Sequence, residues 1–238
     1  LFASIVGVDQ NPEHLAQAQQ LGICDAAATA VPSDADAVLV ALPSDRVTET
    51  LASLAEHKGL IVDVASVKAA LFEDSPRLPA RYVPCHPIAG LERSGPAAAR
   101  ADLFAQHRLV LTPVGQTDPA ALALVQGWWQ ALDANVEIMD AWQHDLTFAT
   151  TSHLPHLVAF AYMQQVASQQ LPYAAGGFRD FSRIAAADPD MWTAILEMNG
   201  PAVTAALSRL QADLAAIKAA IATNDSGQLR ALIEKSQQ

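Results

Sequence analysis

Three stretches of this chain gather hydroxyl, imidazole and guanidinium groups at spacings suited to proton chemistry on a small anionic molecule. The first, Asp63-Val64-Ala65-Ser66-Val67-Lys68, puts a hydroxyl just past an apolar run. The second, Cys85-His86-Pro87-Ile88-Ala89-Gly90, puts an imidazole just past the next one. If both runs are strands of an open α/β sheet, Ser66 and His86 lie outside the carboxyl ends, where such sheets bind ligands. Consecutive strands tend to be neighbours, which would bring the two residues side by side. A neutral imidazole there is suited to taking a proton near pH 7. Plainer readings stand beside these: a Ser after a strand is often a helix cap, and a lone His is often structural.

The third stretch is divided: His144-Asp145, Ser152-His153-Leu154-Pro155-His156, and Gly176-Gly177-Phe178-Arg179-Asp180-Phe181-Ser182-Arg183. On a helix His153 and His156 share a face, and Pro155 removes a backbone donor and bends the chain. A kink at a polar pair suggests a pocket. Arg183 has a plain reading as a surface partner of Asp180 three residues earlier. No metal is expected, because Glu or Cys ligands at matching spacing do not accompany these histidines.

The elements that must position these groups fall into two kinds. Residues 1 to about 113 alternate apolar, β-branched runs with helical or turn-rich stretches: Ser4–Val8, Ala37–Ala41, Leu60–Val64, Arg81–Val83 and Leu109–Leu111. Such runs, separated by helices, suit a parallel sheet covered on both faces. The N-terminal run reads as a buried strand. Helix starts are expected at Pro12 and after Asp118, and a last strand at Val136–Met139. From Asp140 the pattern turns to long helices, Trp142 to about Gln170, Met191 to about Ala222, and Gln228 to Lys235. The expectation is a Rossmann-like α/β domain over residues 1–139 and an all-α domain over residues 140–238.

Composition narrows the function. With 51% hydrophobic and 16% charged residues in 238, the chain is globular. A formal charge of −11 disfavours nucleic acid and anionic membrane, and no apolar run reaches the ~20 residues of a membrane span. Neither a cleavable leader nor a disulfide framework is suggested, Cys24 and Cys85 reading as small buried hydrophobes, so a cytoplasmic protein is expected. With 14 Lys and Arg in all, an anionic substrate needs a local basic pocket, which makes Arg183 conspicuous.

Asp9, after the first strand, has two readings: a cap for the helix starting at Asn11-Pro12, or the acidic residue that binds the adenosine ribose in a βαβ unit. The second normally follows a glycine-rich turn about 20 residues upstream. None precedes Asp9, so the α/β domain is expected to lack its first strand and glycine loop and to bind a dinucleotide poorly as it stands.

Taken together, His86-Pro87-Ile88-Ala89-Gly90 with Glu92 and Ser94-Gly95, Leu111-Thr112-Pro113, His144-Asp145, Ser152-His153-Leu154-Pro155-His156, Gly177 through Ala185, Asp188-Pro189 and Met191-Trp192 follow in order and spacing the prephenate and arogenate (cyclohexadienyl) dehydrogenase family. The chain resembles that family over nearly its whole length. The resemblance implies NAD-dependent oxidative decarboxylation of prephenate to 4-hydroxyphenylpyruvate, or of arogenate to tyrosine, by a homodimer joined through the helical domain. It implies His86 as the base on the substrate's 4-hydroxyl, with Ser66 bonded between it, substrate and nicotinamide. Arg183, His156, His153 and Ser152 would bind substrate, and Glu92 would shape the pocket near Arg183. Asp9, Leu42, Pro43 and Ser66 would contact NAD, and a carboxylate at Asp9 favours NAD over NADP. Leu91 departs from the small polar residue many relatives carry.

Two other readings compete. Another NAD-dependent dehydrogenase of this plan, such as a β-hydroxyacid dehydrogenase, would want a catalytic lysine in the helical half, which offers only Lys218 and Lys235 on late helices. A non-catalytic helical dimer with a vestigial nucleotide fold would not bind NAD.

Overall fold

The computed structural model describes residues 2–73, 78–90 and 95–237. They form two compact units: residues 1–145 with 187–198, and residues 146–186 with 199–238.

In the first unit, β1 (Val6–Val8) and β2 (Ala26–Ala28) form a two-stranded parallel sheet. A second sheet has the order β3 (Ala37–Val40), β4 (Leu60–Asp63), β5 (Tyr82–Pro87), β6 (Arg108–Leu111), β7 (Asn135–Ile138). Two expectations need correction. The N-terminal run is not buried: Val6 and Val8 are each 41% exposed, because β1 pairs only with β2 and no ladder among the described residues joins it to β3. Nor is the sheet all parallel: β5 and β6 are antiparallel, with His86 opposite Val110, whereas the other pairs are parallel.

The apolar runs are continuous because both faces of the central strands are covered. Alternation along β4 sends Leu60 and Val62 into a core with Val83, Cys85, Leu109, Leu111 and the helix α4 (Pro119–Ala131) through Val125 and Trp129. Ile61 faces the opposite core, with Val47 and Leu51 of α2 (Ser44–Ser53), Leu71 and Tyr82. Burying one such side chain contributes roughly 1.5–3 kcal/mol. The helix α1 (Pro12–Gln20) starts where Pro12 suggests, with the Asn11 side chain accepting from Glu13 N–H at 2.9 Å. Asp118 caps α4 in the same way, accepting from Ala120 N–H at 3.0 Å. Short α3 (Ala69–Glu73) follows β4, and α5 (Ala141–Phe148) follows β7.

The long helices expected from Trp142 and Met191 are both broken. After α5 a π-helical turn spans Ala149–His153 before α6 (Leu154–Met163). Pro155 has no N–H to give to the preceding turn, so the backbone widens there. The second break falls at Asn199, where Pro201 cannot continue the ladder of α8 (Pro189–Met198) into α9 (Gly200–Ala222). As a result α8 belongs to the first unit, with Trp192 and Ile195 buried and Met198 against the α2 core. The second unit holds α6, α7 (Gly176–Ala185), α9 and α10 (Ser226–Lys235).

Candidate active site

His86 lies near the end of β5, half-buried, and its ring is held by neighbours on α5. Its Nδ1 is 2.8 Å from Nε2 of His144, and Nδ1 of His144 is 2.7 Å from Oδ1 of Asp145. Both α5 residues are buried, His144 at 0% and Asp145 at 3% exposure. The Asp145 carboxylate also accepts Lys68 N–H at 3.0 Å and Ala69 N–H at 2.8 Å. It therefore caps α3, and the helix-cap reading of Ser66 falls away. Ser66 is half-buried in the bend between β4 and α3. Parallel pairing of Asp63 with Pro84 puts that bend and His86 at the same end of the sheet.

Beneath the bend, buried Asp63 accepts the Tyr82 hydroxyl at 2.6 Å, Ala65 N–H at 2.8 Å and the Lys68 ammonium. The Lys68 side chain is wholly buried, so its charge is tolerable only because Asp63 faces it. Burial, then Asp63, pushes the Tyr82 hydroxyl well above its ordinary range, so it stays a donor. Burial likewise pushes the Cys85 thiol up, and it acts as core. Burial lowers His144 below the ordinary histidine value, with Asp145 pulling the other way.

The second unit carries its own polar group. His153, buried in the π-helical turn, has its Nδ1 3.1 Å from the Asn199 side-chain nitrogen. His156, on α6, donates from Nδ1 to the Ser152 carbonyl at 2.9 Å. Arg183 is exposed on α7, which packs along α6. Burial lowers the His156 pKa, the hydrogen bond to the Ser152 carbonyl opposes it, and the Arg183 charge lowers it further. The fold thus ties His156 to Ser152 and sets the Arg183 charge to act on it, while His153 takes Asn199 as a partner.

Of the expected nucleotide contacts, Asp9 is exposed just past β1, where Oδ1 accepts Asn11 N–H at 2.8 Å and Oδ2 stands 3.5 Å from His14. Leu42 and Pro43 are exposed after β3, at the start of α2. Glu92 and Leu91 lie outside the described residues. Among those described, no group of three His, Cys, Asp or Glu side chains could hold a metal, and no helix is long and apolar enough to cross a membrane.

Family models for the nucleotide-binding domain and the dimerization domain of prephenate dehydrogenase match residues 1–138 and 140–235 respectively. The chain belongs to the prephenate dehydrogenase family. A cyclohexadienyl dehydrogenase of Zymomonas mobilis is 34% identical over 216 residues, covering 86% of this chain and 74% of that protein. A prephenate dehydrogenase of Bacillus subtilis is 36% identical over 211 residues, covering 82% of this chain but 57% of its own length. The Aquifex aeolicus prephenate dehydrogenase, solved with hydroxyphenyl propionate and NAD+, superposes with a TM-score of 0.91 at 32% identity, over 100% of this chain and 88% of that one. Synechocystis arogenate dehydrogenase gives a TM-score of 0.81 at 26% identity, over 98% and 88%.

His144 and Asp145, Lys68 and Asn199 are the residues that sequence reasoning underused. The pair His144-Asp145 stood out as a motif, but only the fold shows that it faces His86. Lys68 gave one signal, a basic residue five positions after Asp63 in an otherwise apolar stretch. Asn199, just before Gly200-Pro201, marks a helix break rather than helix interior.

Proposed function

We propose that this chain catalyses NAD-dependent oxidative decarboxylation of prephenate, or of arogenate, on the route to tyrosine. The observation that carries the reading is the half-buried His86 ring, held through buried His144 to Asp145 in a chain of this family. A ring so anchored is oriented before substrate arrives, which favours proton transfer over mere hydration.

On this reading, His86 accepts the proton of the substrate's 4-hydroxyl, and Ser66 hydrogen-bonds beside it. Arg183 pairs with a substrate carboxylate, and His156, His153 and Ser152 complete the substrate contacts, with Glu92 shaping their charge. Arg183 suits this task because its planar fork matches a carboxylate bidentately. Exposed Asp9 would bind the adenosine ribose diol, while Leu42, Pro43 and Ser66 would line the rest of the cofactor's path. NAD+ bound there supplies the hydride acceptor. Residues 1–139 would hold the cofactor and residues 140–238 the substrate and the dimer contact. A homodimer is supported by apolar positions left exposed on the helical unit, Leu214 and Ile221 of α9 and Ile233 of α10.

NADH formation with prephenate and with arogenate tests the reading. Turnover of at least one is expected, with NAD preferred over NADP because the Asp9 carboxylate would repel a 2′-phosphate. No turnover of either would refute it, and equal rates with NADP would remove Asp9 from the ribose site.

A further inference from the structure

We propose that His144 and Asp145 are positioning residues that fix His86 as the tautomer of a base, its lone pair on Nε2 and its proton on Nδ1. The proposal rests on the reading of His86 given above.

The tautomers follow from what each group can donate. Lys68 N–H and Ala69 N–H can only donate, and both point at the Asp145 carboxylate, which can only accept. The proton between Asp145 and His144, 2.7 Å apart, therefore belongs to His144 Nδ1. In a neutral ring that leaves the lone pair on Nε2. This nitrogen is 2.8 Å from His86 Nδ1, so His86 donates from Nδ1 and carries its own lone pair on Nε2. A line of donors starting at two backbone amides thus sets the protonation of a ring beyond them.

His144 has to be neutral at rest for this to hold, and its surroundings favour that. Burial is the main influence lowering its pKa. Asp145 on α5 opposes it, the Lys68 ammonium ahead of α3 adds to it, and Asp63 on β4 opposes it. With His86 on β5, these groups face the ring.

The same tautomer closes the proton balance. When His86 Nε2 takes the 4-hydroxyl proton, the His86 ring becomes cationic while its Nδ1–H goes on donating to Nε2 of neutral His144. Hydride leaves C4 as the C4–O bond becomes a carbonyl. CO2 then leaves C1, and the electron pair of the broken bond enters the ring, which becomes aromatic with a phenolate oxygen. That oxygen takes the proton back from His86 Nε2. Prephenate dianion and NAD+ become a monoanion, CO2 and NADH, with no net proton released.

Nitrogen-15 NMR of the histidine rings in the intact protein tests the tautomers without any substitution. The proposal expects Nδ1–H at both His86 and His144, and Nε2–H at His86 would overturn it. Asp145→Asn can turn an NH2 group toward His144 Nδ1, reversing every donor along the line. It should move the His86 proton to Nε2 and lower kcat roughly 10²-fold or more, the scale of an imidazole forced into the wrong tautomer, while KM changes little. In His144→Gln the side-chain oxygen can still accept from His86 Nδ1, so the tautomer should persist and the kcat loss be smaller. Equal kcat losses in both variants with the His86 tautomer unchanged would show a merely structural role. Failure of wild-type protein to form NADH from either substrate would instead strike the functional reading and the origin of the proton, an outcome the NMR result keeps separate.

Discussion

In the first unit His86 is tied through two buried side chains to the backbone of the β4–α3 bend, and the same bend is anchored from below by Asp63, Lys68 and Tyr82. In the second unit Arg183 stands exposed on a helix, and His156 is anchored to a carbonyl one turn away on its own chain segment. The contrast matches two different tasks. A proton-transferring ring must be held to a fraction of an ångström, whereas a cation that recognises a carboxylate can work from a longer, more mobile side chain. Rigid support should therefore protect kcat in the first unit, and charge should protect KM in the second.

The comparison can be broken most forcefully at the anchor. Lys68→Met leaves Asp63 buried without its counter-charge, and losing one member of a buried ion pair costs about 3–5 kcal/mol. Chemical denaturation should show that loss, and a change below about 1 kcal/mol would mean that the anchor is not what holds the bend. A somewhat smaller effect is expected in the other unit. Arg183→Ala should raise KM by the equivalent of roughly 2–4 kcal/mol with kcat nearly unchanged, since a carboxylate clamp binds ground and transition states alike. Initial-rate kinetics decide it: an unmoved KM would make Arg183 the surface partner of Asp180.

The smallest effect is in the acid dependence of stability. His144 and His156 both have folded pKa values below the unfolded value of about 6.5, so the unfolded chain binds more protons than the native one as pH falls through that value. Stability is full above about 6.5 and declines as pH drops toward the folded values, at no more than about 1.4 kcal/mol per pH unit for each proton. Thermal melts in this range should be shallower for His144→Gln than for wild type. A slope unchanged by the substitution would assign the acid sensitivity elsewhere.

Much of this arrangement was legible in the residues themselves, and what was not has identifiable physical causes. Apolar runs marked β3 to β7, most plainly in the central strands whose two faces are covered, and His86 was legible because it follows such a run. The exposure of β1 was not, because Ile5-Val6-Gly7-Val8 is equally apolar whether or not a neighbouring strand covers it. The antiparallel joint between β5 and β6 escaped as well, since strand direction depends on the path of the connecting loop, which side-chain pattern does not encode. Pro155 was read as a bend within one helix, and the break before Pro201 was not read at all, because apolar spacing ran on smoothly through Asn199 and Gly200. The link from His86 to His144 spans 58 residues, and local spacing carries no information about such a contact.

The central claim, that His86 is the base, is tested most directly by kcat/KM against pH for wild type and His86→Asn. Wild type should lose activity on the acid side, because protonated imidazole cannot accept the 4-hydroxyl proton. The Asn variant should lack that limb and lose about 10² to 10⁴ in kcat, with substrate still bound through Arg183. An acid limb that persists unchanged in the variant would assign the titration to another group and contradict the role given to His86.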